Sequence, residues 1–142
     1  MPEPMTTEQR RDFLTAGTRS AVLATTRADG RPHAVPVWYA MDGDDLLVNT
    51  GADTVKGRDL ARDPRVAVVV HDDRPPYAFV MIEGVAELIS DPEALRAGSA
   101  VIGRHYLDAE AAAAWADYAT SPGKVLVRVR PANVVAIAKV GG

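Results

Sequence analysis

Residues 49–60 place hydroxyl and cationic side chains where a predicted strand runs into a predicted helix. A strand end that opens onto a helix start offers unpaired backbone N–H groups and the positive end of a helix dipole. Four side chains add donors around this point: Thr50, Thr54, Lys56 and Arg58. The segment therefore predicts a phosphate-binding turn. A capped surface helix with solvated charges is the alternative, because the spacing is not that of a G-x-x-x-x-G-K-[ST] loop.

A second unusual segment is the predicted strand at residues 33–39, which combines Pro36 with Trp38 and Tyr39. Proline cannot donate a ladder hydrogen bond, so one edge of this strand is expected to stay free. Free N–H and C=O groups beside Pro36 could bind the polar rim of a planar heterocycle while the cations of the neighbouring turn hold its phosphate. The alternative is an ordinary edge strand whose proline blocks pairing.

Several kinds of chemistry have no support in the sequence. The three histidines, His33, His71 and His105, lie far apart without metal-ligand spacing, and no metal site is predicted. There is no G-x-S-x-G elbow, and no G-x-G-x-x-G follows a strand. The chain has no cysteine, which excludes disulfides, thiolate metal sites, iron–sulfur clusters and cysteine nucleophiles.

Composition predicts one ordinary globular domain over residues 1–142, with residues 1–5 as a flexible tail. The chain is 47% hydrophobic and 25% charged, close to the average for folded domains. Its formal net charge of −3, with cations interleaved among carboxylates, argues against a nucleic-acid partner. The N-terminus has no basic and apolar leader, and no apolar run approaches the ~20 residues of a membrane helix. We therefore expect a cytoplasmic protein with no membrane partner.

The predicted elements are mostly strands. Thr6 and Gln9 form a capping-box pattern ahead of a short helix, and Gly84 is expected to make a bulge in a long strand. The predicted strands cover residues 21–26, 31–41, 46–50, 66–70, 77–89, 124–130 and 133–140. Helices are predicted at residues 55–61, after Pro92 and at residues 108–118. About seven strands with few helices favour a mainly β, α+β fold built as a small antiparallel barrel.

The order of several segments resembles that of a known family. Residues 21–25, 29–33, 36–39, 56–60 and 63–65 are together similar to the split β-barrel flavin and deazaflavin oxidoreductases, the relatives of pyridoxamine 5'-phosphate oxidase. The likeness spans almost the whole chain and is greatest for the branch that uses coenzyme F420. It implies a split antiparallel β-barrel of the FMN-binding type.

The resemblance also implies a homodimer with two equivalent cofactor sites at the subunit interface. In it, Lys56 and Arg58 hold the cofactor phosphate with the hydroxyls near Thr50. The ring system lies along the strand of Pro36, Val37 and Trp38, and Tyr77 and Phe79 approach from the facing subunit. The residues alone also favour association, because Trp38, Tyr39 and Tyr77 are expected to be exposed and costly to leave in water.

The resulting hypothesis is hydride transfer between F420 and an unsaturated small molecule. No dedicated catalytic residue is assigned, and a proton could come from solvent, Tyr77, Tyr106 or His33. Oxidation of pyridoxamine phosphate is not expected, since the arginine-containing C-terminal segment of those oxidases has no counterpart here. An FMN-binding oxidoreductase of the same fold and a non-catalytic carrier of a cofactor or haem stay open as alternatives.

Overall fold

The chain forms eight β-strands and four α-helices in a computed structural model that describes residues 1–142. The strands are β1 (Glu3–Pro4), β2 (Ala21–Thr26), β3 (Pro32–Val37), β4 (Ala40–Asp42), β5 (Asp45–Gly51), β6 (Arg65–Asp72), β7 (Ala78–Ile89) and β8 (Lys124–Ala138). The helices are α1 (Thr7–Thr15), α2 (Val55–Arg62), α3 (Pro92–Tyr106) and α4 (Ala109–Ala119). The predicted mainly β architecture is confirmed.

Seven of the strands follow one another in the order β3-β2-β6-β7-β8-β5-β4, and every pairing is antiparallel. The first and last strands of this order, β3 and β4, are joined in sequence by only Trp38 and Tyr39. The predicted single strand over residues 31–41 was therefore wrong. The chain leaves β2 at Trp38 and pairs with β5 from Ala40 onward, so the sheet curls back on itself into a split barrel.

The longest strands, β7 and β8, bend at a bulge. Their register shifts between Glu83 and Gly84, as the sequence predicted. A Cβ on Gly84 would lie 2.2 Å from the carbonyl oxygen of Arg130, so only glycine allows this approach. Pro131 pairs with Gly84 at the irregularity, where a missing N–H is tolerated. Hence β8 continues through Pro131, and the predicted break into strands 124–130 and 133–140 was wrong.

The N-terminal residues are joined to the barrel. Glu3 and Pro4 pair with Ala138 and Ile137, and the Met5 amide donates to the Ala136 carbonyl at 2.9 Å. This pairing differs from the flexible tail expected for residues 1–5. The sequence did not predict it, because a two-residue β pairing needs no apolar pattern. The capping box is present: Gln9 N donates to Thr6 Oγ1 at 3.1 Å, and Thr6 N donates to Gln9 Oε1 at 2.8 Å.

The barrel interior is filled by alternate strand residues. Leu23, Val68, Val80 and Val127 are fully buried there. Tyr39 is buried as well, and its hydroxyl donates to the Leu14 carbonyl at 2.6 Å. The expectation that Tyr39 is an exposed aromatic was wrong, because the chain turns inward between β3 and β4. None of the four helices combines the length and the apolar character needed to cross a bilayer.

The outer face of the sheet is also apolar. The register aligns one row of residues across five strands, which we call the outer apolar row: Pro36, Val22, Val69, Met81 and Val135. Pro36 is exposed and the other four are partly exposed in the single chain. An antiparallel sheet with one face in water usually carries polar residues on that face, so this row is unusual for a face left in water.

Candidate cofactor site

A groove of about 330 Å³ opens where the end of β3, the end of β5, the start of α2 and the end of α4 meet. Six of the predicted cofactor residues line it: Pro36, Val37, Trp38, Thr50, Thr54 and Lys56. These residues come from two segments that are joined only through the curled sheet. The fold therefore brings the predicted phosphate turn and the proline strand to one place.

The turn into α2 is shaped by its own hydroxyls. Thr54 is the N-cap and accepts a hydrogen bond from the Gly57 amide at 3.2 Å. Its hydroxyl donates to the Gly51 carbonyl at 2.7 Å, and Thr50 Oγ1 lies 3.3 Å from Thr54 Oγ1. A Cβ on Gly57 would lie 2.3 Å from the Gly51 carbonyl oxygen, so glycine is required there. The Thr54 proton is thus already used, and the threonines position the turn.

Two lysines converge on the groove without a carboxylate between them. Lys56 is half-buried and makes no side-chain hydrogen bond or salt bridge. Lys124, the first residue of β8, donates to the Tyr118 hydroxyl at 3.1 Å and lies 4.4 Å from the centre of that ring. Burial, followed by the charge of Lys124, lowers the pKa of Lys56. Such a pair of cations is suited to an anionic ligand, whose charge would relieve their repulsion.

Aromatic rings form the wall of the groove beside β3. Trp38 stacks on Tyr106 with ring centres 4.7 Å apart and planes 10° from parallel, and Trp115 follows at 5.8 Å. Trp38 remains 38% exposed. Next to it, β3 is the terminal strand of the sheet order, and Pro36 pairs only with Val22 on β2. The free strand edge predicted from Pro36 is confirmed.

Arg58 and Tyr77 do not reach this groove within one chain. Arg58 follows Lys56 by two positions, which is about 200° around a helix, and its exposed side chain has no hydrogen bond or salt bridge. Tyr77 lies in the loop before β7, where it is 44% exposed with a left-handed backbone at φ 64°. Their roles toward a cofactor therefore stay predictions.

None of the three candidate proton donors offers a free acidic proton to the groove in this chain. The Tyr106 hydroxyl donates to the Arg19 carbonyl at 2.8 Å and accepts from the Tyr39 amide at 3.1 Å, and burial raises its pKa. His33 pairs with Thr25 on β2, and its Nδ1 is buried without a partner. Neither His33 nor Tyr77 lines the groove.

Six further groove residues were not among the predicted cofactor residues: Asn49, Gly51, Ile102, Trp115, Tyr118 and Lys124. The register places Lys124 opposite Gly51, across a pairing of β5 with β8 that no local pattern indicates. Asn49 lies within the predicted strand and phosphate turn, but its amide holds helices that come much later in the chain. Its Nδ2 donates to Ser99 Oγ at 2.9 Å and to the Ala119 carbonyl at 2.8 Å.

Comparisons with known proteins agree with this fold. The sequence model of the family described as pyridoxamine 5'-phosphate oxidase matches residues 6–138. Among solved structures, the chain is similar to the conserved hypothetical protein Rv2991 from Mycobacterium tuberculosis, with 29% identity, a TM-score of 0.84, and coverage of 95% of this chain and 86% of that one.

Two further similar structures carry functional names. A protein named F420 Reductase is 25% identical with a TM-score of 0.66, and the match covers 90% of this chain and 95% of that chain. A heme binding protein from Mycobacterium smegmatis is 26% identical with a TM-score of 0.73, over 99% of this chain and 56% of that chain.

Proposed function

Because the chain belongs to the pyridoxamine 5'-phosphate oxidase family, we propose that it is an F420-dependent oxidoreductase that transfers a hydride between the deazaflavin and an unsaturated small molecule. The observation that carries this proposal is the groove with two lysines that have no carboxylate partner, Lys56 and Lys124, beside a free strand edge. When bound, the deazaflavin would supply the hydride chemistry. The chain would supply binding, orientation and charge.

The residues present fit a phosphorylated planar cofactor. The phosphate would lie between Lys56 and Lys124 at the N-terminus of α2, where the helix dipole adds to their charge. The ring would lie along Pro36, Val37 and Trp38, whose free backbone edge can bind its polar rim. Because Lys56 and Lys124 would be engaged by the phosphate, and none of the three candidate donors offers a free proton to the groove, a proton needed by the product would come from solvent or from the facing subunit.

We propose F420 rather than FMN as the cofactor because of where the cations near the groove lie. Arg58 lies outside the groove on the same helix as Lys56 and has no carboxylate partner. A cofactor with a longer anionic tail could extend past the helix start and meet this third cation, whereas a shorter one would leave it in water. The similarity to the protein named F420 Reductase supports the same choice.

The proposal includes a homodimer formed through the outer apolar row. That row contains Pro36, which also lines the groove, so a partner covering the row would border the cofactor as well. Tyr77 of the partner subunit would then be able to approach the ring. Burying five apolar side chains across five strands gives such an association a hydrophobic driving force.

A haem carrier is the second candidate, because the heme binding protein from Mycobacterium smegmatis is similar in structure. Haem iron needs an axial ligand such as histidine, methionine or cysteine. No histidine, methionine or cysteine lines the groove, which leaves Tyr118 as its one side chain of a type that ligates haem iron. The donor set therefore favours a flavin-type cofactor over haem.

The proposal is tested by titrating the purified protein separately with F420, FMN and haem. Fluorescence quenching follows the first two and absorbance follows the third. We expect F420 to bind most tightly and the loaded protein to reoxidise reduced F420 repeatedly with menadione as a quinone acceptor. Tighter binding of FMN would favour the FMN enzyme. Tighter binding of haem, or a single stoichiometric oxidation without turnover, would favour a carrier.

A further inference from the structure

A cavity with about twice the volume of the groove lies away from it and shares no residue with it. It measures about 650 Å³ and is bounded by α1, the turn between β4 and β5, and the bulge of β7 and β8. That volume is within the range of small-molecule sites. Its apolar floor is formed by Leu14, Met41, Ile82 and Val134.

The rim of the cavity carries charged side chains, most of which form salt bridges and one of which does not. Asp44 is bound by Arg11 at 3.2 Å, and Asp45 is bound by Arg128 at 3.0 Å. Arg10 lines the same rim, is half-buried, and has no side-chain hydrogen bond or salt bridge. Because no carboxylate of the chain pairs with it, the Arg10 guanidinium is free to donate to an anionic group bound at this rim.

The position of the cavity keeps it open in the proposed dimer. Ile82 and Val134 face into the barrel, whereas Met81 and Val135, their neighbours in sequence, belong to the outer apolar row. Strand alternation therefore places the cavity on the opposite face of the sheet from a partner docked on that row. Neither a second copy nor the cofactor would fill it.

We propose that this cavity binds a small amphipathic carboxylate. The carboxylate would accept two parallel hydrogen bonds from the Arg10 guanidinium, and its apolar body would rest on the floor. A carboxylate fits better than a doubly charged phosphate, because Arg10 is the single unpaired cation and Asp44 and Asp45 lie on the same rim. An alcohol would offer Arg10 one neutral acceptor in place of two charged ones, and an ammonium would offer none.

Isothermal titration calorimetry with decanoate, decan-1-ol and decylamine tests this site on the full chain. We expect one decanoate per chain and at least about tenfold weaker binding of the alcohol and the amine. Arg10→Ala should weaken decanoate about tenfold and bring it to the level of decan-1-ol. Thr15→Trp, at an exposed position on α1 that lines the cavity, should block all three probes.

Arg27→Ala is the matched control. Arg27 is also half-buried and without a salt bridge, but it lies in the turn between β2 and β3 and lines neither the cavity nor the groove. It should leave decanoate binding unchanged. Equal affinity for decanoate and decan-1-ol, an unchanged decanoate affinity in Arg10→Ala, or no binding of decanoate would each overturn the proposal. Circular dichroism of each variant checks that the chain is folded.

Discussion

The cations at the groove and those on the flank of β8 are arranged in opposite ways. At the groove, Lys56 and Lys124 face each other with no carboxylate, and the charge of Lys124 helps to lower the pKa of Lys56. On the flank of β8, Arg128 and Arg130 are surrounded by acids, and the hydrogen bond that Arg128 donates to Asp42 is the main cause that raises the pKa of Arg128. The first arrangement is ready for an external anion, and the second is already complete.

The distances on the flank show how fully those charges are matched. Arg128 lies 2.9 Å from Asp42 and 3.0 Å from Asp45, and Arg130 lies 2.7 Å from Glu87. These contacts join β8 to β4, β5 and β7 across the sheet. The comparison therefore separates cations that stabilise the fold from cations that have no carboxylate partner. Substitutions at the groove and on the flank of β8 each test it.

The largest expected effect is on cofactor binding at the groove. Lys56→Ala and Lys124→Ala should each weaken F420 about tenfold, because each removes a charge-assisted contact, and the double variant should lose about a hundredfold if the two effects add. Fluorescence titration measures the three dissociation constants.

Arg58→Ala is the internal comparison for these variants, since it removes a cation two positions further along the same helix and outside the groove. We expect a smaller loss than for Lys56→Ala. If Arg58→Ala lost more affinity for F420 and Lys56→Ala bound F420 as the wild type does, the phosphate would lie elsewhere on the helix. That result would contradict the groove assignment.

A smaller effect, on stability alone, is expected on the flank. Arg128→Ala leaves Asp42 and Asp45 without their shared partner, and the Arg128 side chain is only 22% exposed. The free energy of unfolding in urea should fall by about 1–2 kcal/mol, while the dissociation constant of F420 stays the same. A loss of cofactor affinity as large as that of Lys56→Ala would show that the two regions are not independent.

The smallest effect is a gain of stability when the groove loses a charge. The folded state lowers the pKa of Lys56, so protonated Lys56 costs stability at neutral pH, and this cost fades as the pH rises through the lowered pKa. Without cofactor, Lys56→Met should therefore unfold at a higher urea concentration than the wild type. Its free energy of unfolding should be higher by no more than about 1 kcal/mol. The difference in free energy of unfolding between the variant and the wild type should become smaller toward alkaline pH. A difference that does not change with pH would mean that the charge of Lys56 is not its cause.

Local patterns predicted the parts of the site that neighbouring residues determine. The turn into α2, the free edge at Pro36 and the bulge at Gly84 each depend on backbone chemistry within a few residues. Lys124 could not be predicted, because it reaches the groove only through the pairing of β5 with β8. Tyr39 was expected to be exposed for the same kind of reason. It is buried because it lies in the two-residue link between β3 and β4, the first and last strands of the sheet order.

Asn49 has a consequence for how a ligand enters the groove. Its amide binds Ser99 on α3 and the carbonyl of Ala119 at the end of α4, and thus ties both helices to the strand that ends at the groove. Trp115 and Tyr118 are carried by α4, so the wall they form cannot swing away unless the hydrogen bond to the Ala119 carbonyl breaks. Cofactor exchange is therefore expected to proceed through the open side of a rigid slot, without a lid.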